Sequence, residues 1–413
     1  MKKLLEIFLS ILTAMGGFVE IGELVFSVNA GAKFGYQLLW VVVVGTAGII
    51  VYGEMAGRIA AVRRKPVFDV IREHVGYRGG LGTLLPAAAV SLLTCAAEIG
   101  GCGIILRLLF GGSYRMLIVV AFVLLLLSVW FLSFQWIERV YGLLGLFMVV
   151  FLVAAVMLKP DWSGMAAGLV PRAPEAVSSR GDYLNYAYFA VALMSSIMLP
   201  YETYFYASGA IEDGWEPTDI TLNRIIVVIG FALGSLLAVA LIVVGAEVLR
   251  PLGIEPQLPG TAALGPAQVM GHWGVRVALL GMLFAFAGAA VENALTVAYI
   301  FGQFCGWPWG KFRAPRDASR FTLTWIVVFV VAVLIVLTGV DPVGVVEYSI
   351  VFSVVILPLT YLPILLTARD ERTMGRHANG RVMDFFGWTY LILISLAAVA
   401  AIPLLVLSHG GKR

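Results

Sequence analysis

Long apolar runs, separated by short clusters of Gly, Pro and charge, recur along the whole chain. A hydrocarbon core of ~30 Å needs about 20 helical residues. On that measure the pattern predicts eleven membrane-spanning helices, near 6–31, 38–62, 82–110, 116–134, 139–158, 183–210, 220–249, 275–303, 320–339, 344–367 and 386–408. The chain is therefore expected to be an all-α polytopic membrane protein with a single transmembrane domain over 1–413. Its start, MKKLLEIFLSILTAMGGF, has features of a signal peptide, but no small-residue cleavage site is followed by a soluble region. We read it as the first membrane helix.

Basic residues sort into alternate loops. Arg63, Arg64, Lys65, Arg72 and Arg78 follow the second span; Lys311, Arg313, Arg316 and Arg320 follow the eighth; Arg369, Arg372, Arg376 and Arg381 follow the tenth. The intervening loops near 32–37, 251–274 and 340–343 are nearly free of them. The positive-inside rule then places the amino terminus in the cytoplasm, and an odd span count places the carboxyl terminus outside. The expected location is a bacterial inner (plasma) membrane. One loop runs against this order: 211–219 (IEDGWEPTD) is acidic on the cytoplasmic side.

Two of the predicted helices carry acids where helix-breaking residues interrupt them. Glu20 and Glu23 lie in SILTAMGGFVEIGELVFSVNAG (10–31), beside Gly16, Gly17 and Gly22. Glu202 lies in YFAVALMSSIMLPYETYFYASGA (188–210), beside Pro200. An ionisable group at membrane depth costs at least ~2.5–3.5 kcal/mol on insertion scales, so it is kept where it pairs, lines a cavity or handles an ion. Acids at breaks in two helices predict a cation site at the centre of a transporter. The segments also resemble each other. Glu23 begins ELVFSVNAGA and Glu202 begins ETYFYASGA. If the chain is two five-helix repeats, about 6–158 and 183–367, the odd number of spans in each forces inverted topology, with 386–408 as an added helix.

Composition narrows the class. The 413 residues are 61% hydrophobic and 13% charged, with mean hydropathy +0.95, whereas soluble domains run near ~25% charged. The net charge of +3 resides in loops, so it indicates no nucleic-acid partner. Cys95, Cys102 and Cys305 form no disulfide or metal motif. His74, His272, His377 and His409 fall in loops or at termini, so no histidine relay crosses the membrane. No nucleotide loop, His/Cys metal spacing or nucleophile–base pair is present, so the chain is not expected to be an enzyme or to hold a resident cofactor. No soluble output domain supports a receptor.

Several stretches resemble the Nramp (natural resistance-associated macrophage protein) metal-ion transporters. GAKFGYQLLWVVVVGTAGIIVYGEMAGRIAAV (31–62) is similar to their second helix and AEIGGCGIILRLLFG (97–111) to their third. LPYETYFYASG (199–209) sits where their sixth-helix Met-Pro-His motif falls, and YSIVFSVVILP (348–358) resembles their tenth helix. The resemblance implies a LeuT-type fold, substrate held between unwound helices one and six, and alternating access. It also marks departures. The family's first-helix Asp-Pro-Gly-Asn becomes Glu20-Ile21-Gly22-Glu23, and Met-Pro-His becomes Leu199-Pro200-Tyr201 followed by Glu202. A tenth-helix Gln falls at Ile350. The third-helix Asp of the family's proton route falls at Cys95, while the Glu one turn later is kept as Glu98. The chain thus resembles a divergent branch lacking the metal-binding Met.

The changed residues alter the expected ion. A thioether favours transition metals, and Leu199 cannot coordinate. Glu20, Glu23 and Glu202, with the Tyr201 hydroxyl and carbonyls freed at Gly22 and Leu199, make an all-oxygen anionic set. Such a set suits hard multivalent cations of the Mg²⁺/Mn²⁺ class. Three acids this close cannot all be ionised without a cation, so an empty site is expected to hold a proton that metal displaces. Glu98 is the candidate for the proton pathway, with helix packing as its bland alternative.

Other acids have simpler readings. Glu20 and Glu23 as caps, and Glu202 as a structural hydrogen-bonding acid, are the alternatives to metal binding. Glu292 reads as an interhelical acid partnered by Asn293 or a hydroxyl. Glu54, Glu247 and Glu347 read as span-end acids within reach of water. The competing function is transport of a small organic cation or other organic solute, with Tyr201, Tyr204, Phe205 and Tyr206 as an aromatic box. A monomer in the lipid bilayer is expected.

Overall fold

The computed structural model describes residues 20–173 and 180–411. It is built from helices α1 (Ile21–Phe34), α2 (Leu39–Arg63), α3 (Val67–Phe110), α4 (Tyr114–Phe131), α5 (Phe134–Gly145), α6 (Val149–Met157), α7 (Trp162–Gly168), α8 (Arg180–Ile197), α9 (Pro200–Glu212), α10 (Ile220–Val244), α11 (Leu264–Cys305), α12 (Ser319–Leu337), α13 (Pro342–Arg369), α14 (Glu371–Met374) and α15 (Arg381–Leu407). No strand occurs among the described residues.

Nine helices among the described residues are long and apolar enough to cross a membrane. They match the second to fifth and the seventh to eleventh predicted spans, with a short 3₁₀ turn at Leu146–Met148 joining α5 and α6 into one. The other two predicted spans are the interrupted ones. Glu20 is extended (φ −94°, ψ 169°) immediately before α1. Leu199 is extended (φ −66°, ψ 136°) between α8 and α9. Gly16 and Gly17, read as part of the first break, lie outside the described residues.

Two boundaries differ from the sequence pattern. The stretch 67–75, read as loop, is helical and joins the third span through Gly76 at φ 69°. Gly271 at φ 61° does the same ahead of the eighth. In each case glycine takes a left-handed turn that lets a surface helix run into a membrane helix.

α11 and α13 both pack along α3, α10 packs along α1 and α2, and α15 packs along α13. Loop contacts sort the helix ends onto two faces. On one, Lys33 meets Glu255 and the Gly411 carbonyl. On the other, Arg64 pairs with Glu216 at 2.6 Å, Arg72 donates to the Phe304 carbonyl at 2.6 Å, and Arg58 donates to Asn379. The acidic loop 211–219 therefore lies on the face of the basic loops and pairs with one of them, which removes the apparent conflict in the charge pattern.

Candidate cation site

The two broken helices begin alike. Glu23 is the third residue of α1 and Glu202 the third residue of α9, each in the first turn. The first-turn amides of a helix lack intrahelical acceptors and carry the positive end of the helix dipole, so an acid is favoured there. Pro200 fits the first position of α9, where its missing N–H costs no hydrogen bond. The repeat read from sequence thus matches a repeated local geometry.

All three predicted acids are buried, with Glu20 at 0%, Glu23 at 3% and Glu202 at 6% exposure. Glu23 lies within electrostatic reach of Glu20, and Glu202 within reach of Glu20, Glu23 and Glu292. Both carboxylate oxygens of Glu20 lack a hydrogen-bond partner among the described residues, as do Oε2 of Glu23, Oε2 of Glu202 and the Tyr201 hydroxyl. Buried oxygens left this way are costly unless a proton or cation compensates them. Among the described residues, no three His, Cys, Asp or Glu side chains are already arranged at metal-ligand spacing. The acids face a common interior without closing round one point.

Glu98, on α3, is fully buried, and its Oε1 accepts a 2.9 Å hydrogen bond from the Ile21 amide while Oε2 has no partner. It lies within electrostatic reach of Glu20 and Glu292. Leu199 and Tyr201 are buried at the α9 break.

Several sequence readings are corrected. Gly22 lies inside the first turn of α1, which begins at Ile21, so the described helix is not interrupted at Gly22 and frees no carbonyl there. Its lack of a side chain serves close packing instead. A Cβ there would stand 2.6 Å from Glu20 Oε1 and collide with Ile350 of α13. The proposed aromatic box disperses, because successive helical positions point in different directions. Tyr204 tilts against Phe68 and bonds Thr360; Phe205 packs on Phe134 and Tyr299; Tyr206 donates to Asn223 at 2.7 Å. Asn293 does not partner Glu292: its amide donates to Ala289 O at 2.9 Å in its own helix. Glu54, read as solvent-reached, is 4% exposed, because Arg58 and Arg224 cover it at 3.1 Å or less. Cys95 and Cys102 pack as buried small residues, as expected.

Glu292 is the residue undervalued in sequence. It is half-buried, within electrostatic reach of Glu20, and shares a small cavity with Glu138 and Tyr141. Its mid-span position was the available signal; only the packing of α11 against α5 and α9 brings it near the other acids.

Known proteins resemble this chain over nearly its whole length. The divalent metal cation transporter MntH of Ralstonia nicotianae is 25% identical over 413 aligned positions, covering 96% of this chain and 90% of the relative. That of Deinococcus radiodurans is 24% identical, covering 91% and 85%. Among solved structures, the Eremococcus coleocola manganese transporter in complex with an aromatic bis-isothiourea substituted compound superposes with TM-score 0.78 at 20% identity, covering 98% of this chain and 87% of that one. MhsT in complex with L-phenylalanine superposes with TM-score 0.63 at 16% identity, covering 97% and 98%. The last two establish the shared LeuT-type fold. The sequence profile described as natural resistance-associated macrophage protein-like (Nramp) matches residues 11–403, and the chain belongs to that family.

Proposed function

We propose that the protein is a membrane transporter of a hard multivalent metal cation of the Mg²⁺/Mn²⁺ class, working by alternating access. The carrying observation is the pair of helix starts that each open on a buried acid, with Glu20 beside them and its oxygens unpartnered among the described residues. The relatives named divalent metal cation transporters support a metal cation as cargo. The oxygen-only donor set of Glu20, Glu23, Glu202 and Tyr201 supports a hard ion, because Leu199 offers no soft ligand.

In this reading the cation sheds part of its water and draws the three carboxylates inward. Neutralising their mutual repulsion favours closure on the side of entry, and α1 and α9 then tilt to open the other side. The carboxyl that holds a proton in the empty site releases it on binding, and Glu98 passes protons to or from this region. In this reading the amino terminus lies in the cytoplasm and the carboxyl terminus outside, in a bacterial inner membrane, with the monomer as the working unit; the alternation of basic loops supports the orientation. The dispersal of Tyr204, Phe205 and Tyr206 weighs against an organic cation.

The test is entry of Mg²⁺ and Mn²⁺ into proteoliposomes holding metal-sensitive dyes. Entry that vanishes in Glu20→Gln/Glu23→Gln supports the site, and the ion ratio reports its hardness. Absence of both fluxes in folded protein sinks the proposal.

A further inference from the structure

A stack of rings and the segment Ser408–Gly411 gather at the Lys33 end of α1, beyond Glu23. Phe26, one turn beyond Glu23 on α1, packs against Tyr188 at 6.2 Å and Phe189 at 6.0 Å between centroids, and those two rings meet at 5.6 Å. Ser27, four residues from Glu23 on the same helix face, is fully buried and its hydroxyl has no partner among the described residues. The Tyr188 hydroxyl is likewise buried without a partner. Along α1, Ser27 therefore lies between Glu23 and the Lys33 end, and the Tyr188 hydroxyl is a second buried polar atom, in the ring stack at Phe26.

The carboxyl-terminal segment covers them. His409, Gly410 and Gly411 are all left-handed, at φ 53°, 67° and 78°, so the chain folds back over the end of α15. The Gly411 amide donates to Ser408 Oγ at 3.1 Å. A Cβ on Gly411 would lie 2.6 Å from Phe189 and 3.2 Å from Tyr188, so its bare backbone lies on the rings. Lys33, in the last turn of α1, joins the pieces. Its Nζ donates to the Gly411 carbonyl at 2.9 Å, pairs with Glu255 at 3.4 Å, and stands 5.8 Å from the Phe189 centroid. Asn29 adds a 3.3 Å bond from its amide to the Pro256 carbonyl. Beside Lys33 a cavity of about 320 Å³, lined by Asp182, Asn185 and Arg250 among others, gives the ammonium room to swing aside.

We propose that Lys33 and the segment Ser408–Gly411 form a latch over the route to Glu23, and that the route opens when Lys33 leaves the Gly411 carbonyl and Glu255. Of the two contacts the carbonyl holds harder, because Glu255 is 63% exposed and water competes for it. While the latch is closed its ammonium also repels an approaching cation. The proposal rests on the cation reading only in what the route serves.

The experiment uses full-length protein in nanodiscs. Ser27→Cys is the reporter, in a background with Cys305→Ser, since Cys305 is exposed and Cys95 and Cys102 are buried. The readout is the rate of labelling by a charged, membrane-impermeant maleimide. Lys33→Met, and separately a chain ending at Leu407, are expected to label at least about fivefold faster than the Lys33 parent. Glu255→Gln should rise less, and Lys33→Arg should stay near the parent. If Lys33→Met does not fold, the shortened chain and Glu255→Gln carry the same comparison. Parental rates in the folded variants overturn the latch. Faster labelling in a protein that moves no metal would leave the latch standing and defeat the cation reading alone.

Discussion

The amide of Ile21 donates a 2.9 Å hydrogen bond to Glu98 Oε1, although 77 positions separate the two residues. The bond places a carboxylate from the middle of α3 at the start of the half-helix α1. It satisfies one of the amides that every helix leaves open at its amino end. Glu98 therefore has a structural task whether or not it also moves protons. Glu98→Leu, which loses the acceptor, is expected to cost about 1–3 kcal/mol of stability. Glu98→Gln keeps an acceptor and should cost less, a difference visible in thermal unfolding. The same Gln variant should change the pH profile of cation uptake. An unchanged profile would confine Glu98 to capping.

Glu23 and Glu202 occupy equivalent positions in their half-helices, so their loss should have similar effects. Glu23→Gln and Glu202→Gln are each expected to weaken cation affinity by about tenfold or more, since ligand charge sets affinity for hard ions. Ligand that binds only the folded state raises the unfolding temperature. Titrating Mg²⁺ and Mn²⁺ against thermal unfolding measures the effect, and native midpoints in both variants would remove these residues from the site.

Arg58 is a buried, multiply bonded cation. It contacts both oxygens of Glu54 at 2.9–3.1 Å, the Asn379 side chain at 2.6 Å and the His377 carbonyl. Glu54 is itself buried but keeps Arg224 as a partner at 3.1 Å, so Arg58→Ala should cost about 1–3 kcal/mol, as it removes one of two cations from that carboxylate and leaves the Asn379 and His377 acceptors without their donor. Arg58→Lys should recover part of it, without the planar fork that reaches several acceptors. Denaturation in detergent distinguishes the two.

α1 and α10 cross where Gly31 and Gly245 face each other. A Cβ on Gly31 would collide with the Ile242 carbonyl and lie 2.9 Å from the Ala246 nitrogen; one on Gly245 would lie 2.8 Å from the Ala32 nitrogen. Backbone cannot yield as a side chain does. Gly31→Ala and Gly245→Ala are each expected to lose about 1–3 kcal/mol. Equal stability of either variant and the parent would mean that the crossing is looser than described.

Asp370 begins the short helix α14, accepting from the Thr373 hydroxyl and, at 3.1 Å, from the Arg372 amide. The Thr373 bond, then the Arg372 amide, hold its carboxyl below the ordinary aspartate value. A depressed carboxyl contributes stability above its unfolded-state pKa and loses it as pH falls through the folded one. Protection of the Arg372 and Thr373 amides from hydrogen exchange should therefore fade below about pH 4. Asp370→Ala should show faster exchange already at neutral pH.

Much of this architecture was legible along the chain because a bilayer accepts so few solutions. Backbone polar groups in hydrocarbon must be satisfied within the helix, so span length and loop charge read directly from apolar runs and basic clusters. The acids at 20, 23 and 202 stood out for the same reason: nothing ionisable is retained at that depth without use. The start of the helix that carries Glu23 was not legible. Gly22 looked like the breaker, yet it sits in the α1 first turn, where its bare backbone admits Ile350 of a distant helix. The span-end reading of Glu54 failed likewise, because Arg224 from α10 joins Arg58 in covering it. Sequence alone determined the described membrane helices, the interruption at Leu199–Pro200 and the buried acids at 20, 23 and 202. Tertiary structure alone decided that Glu98 caps Ile21, that Glu292 approaches Glu20, and that Lys33 bonds the Gly411 carbonyl. Those relations join residues tens to hundreds of positions apart, and only helix packing brings them within reach.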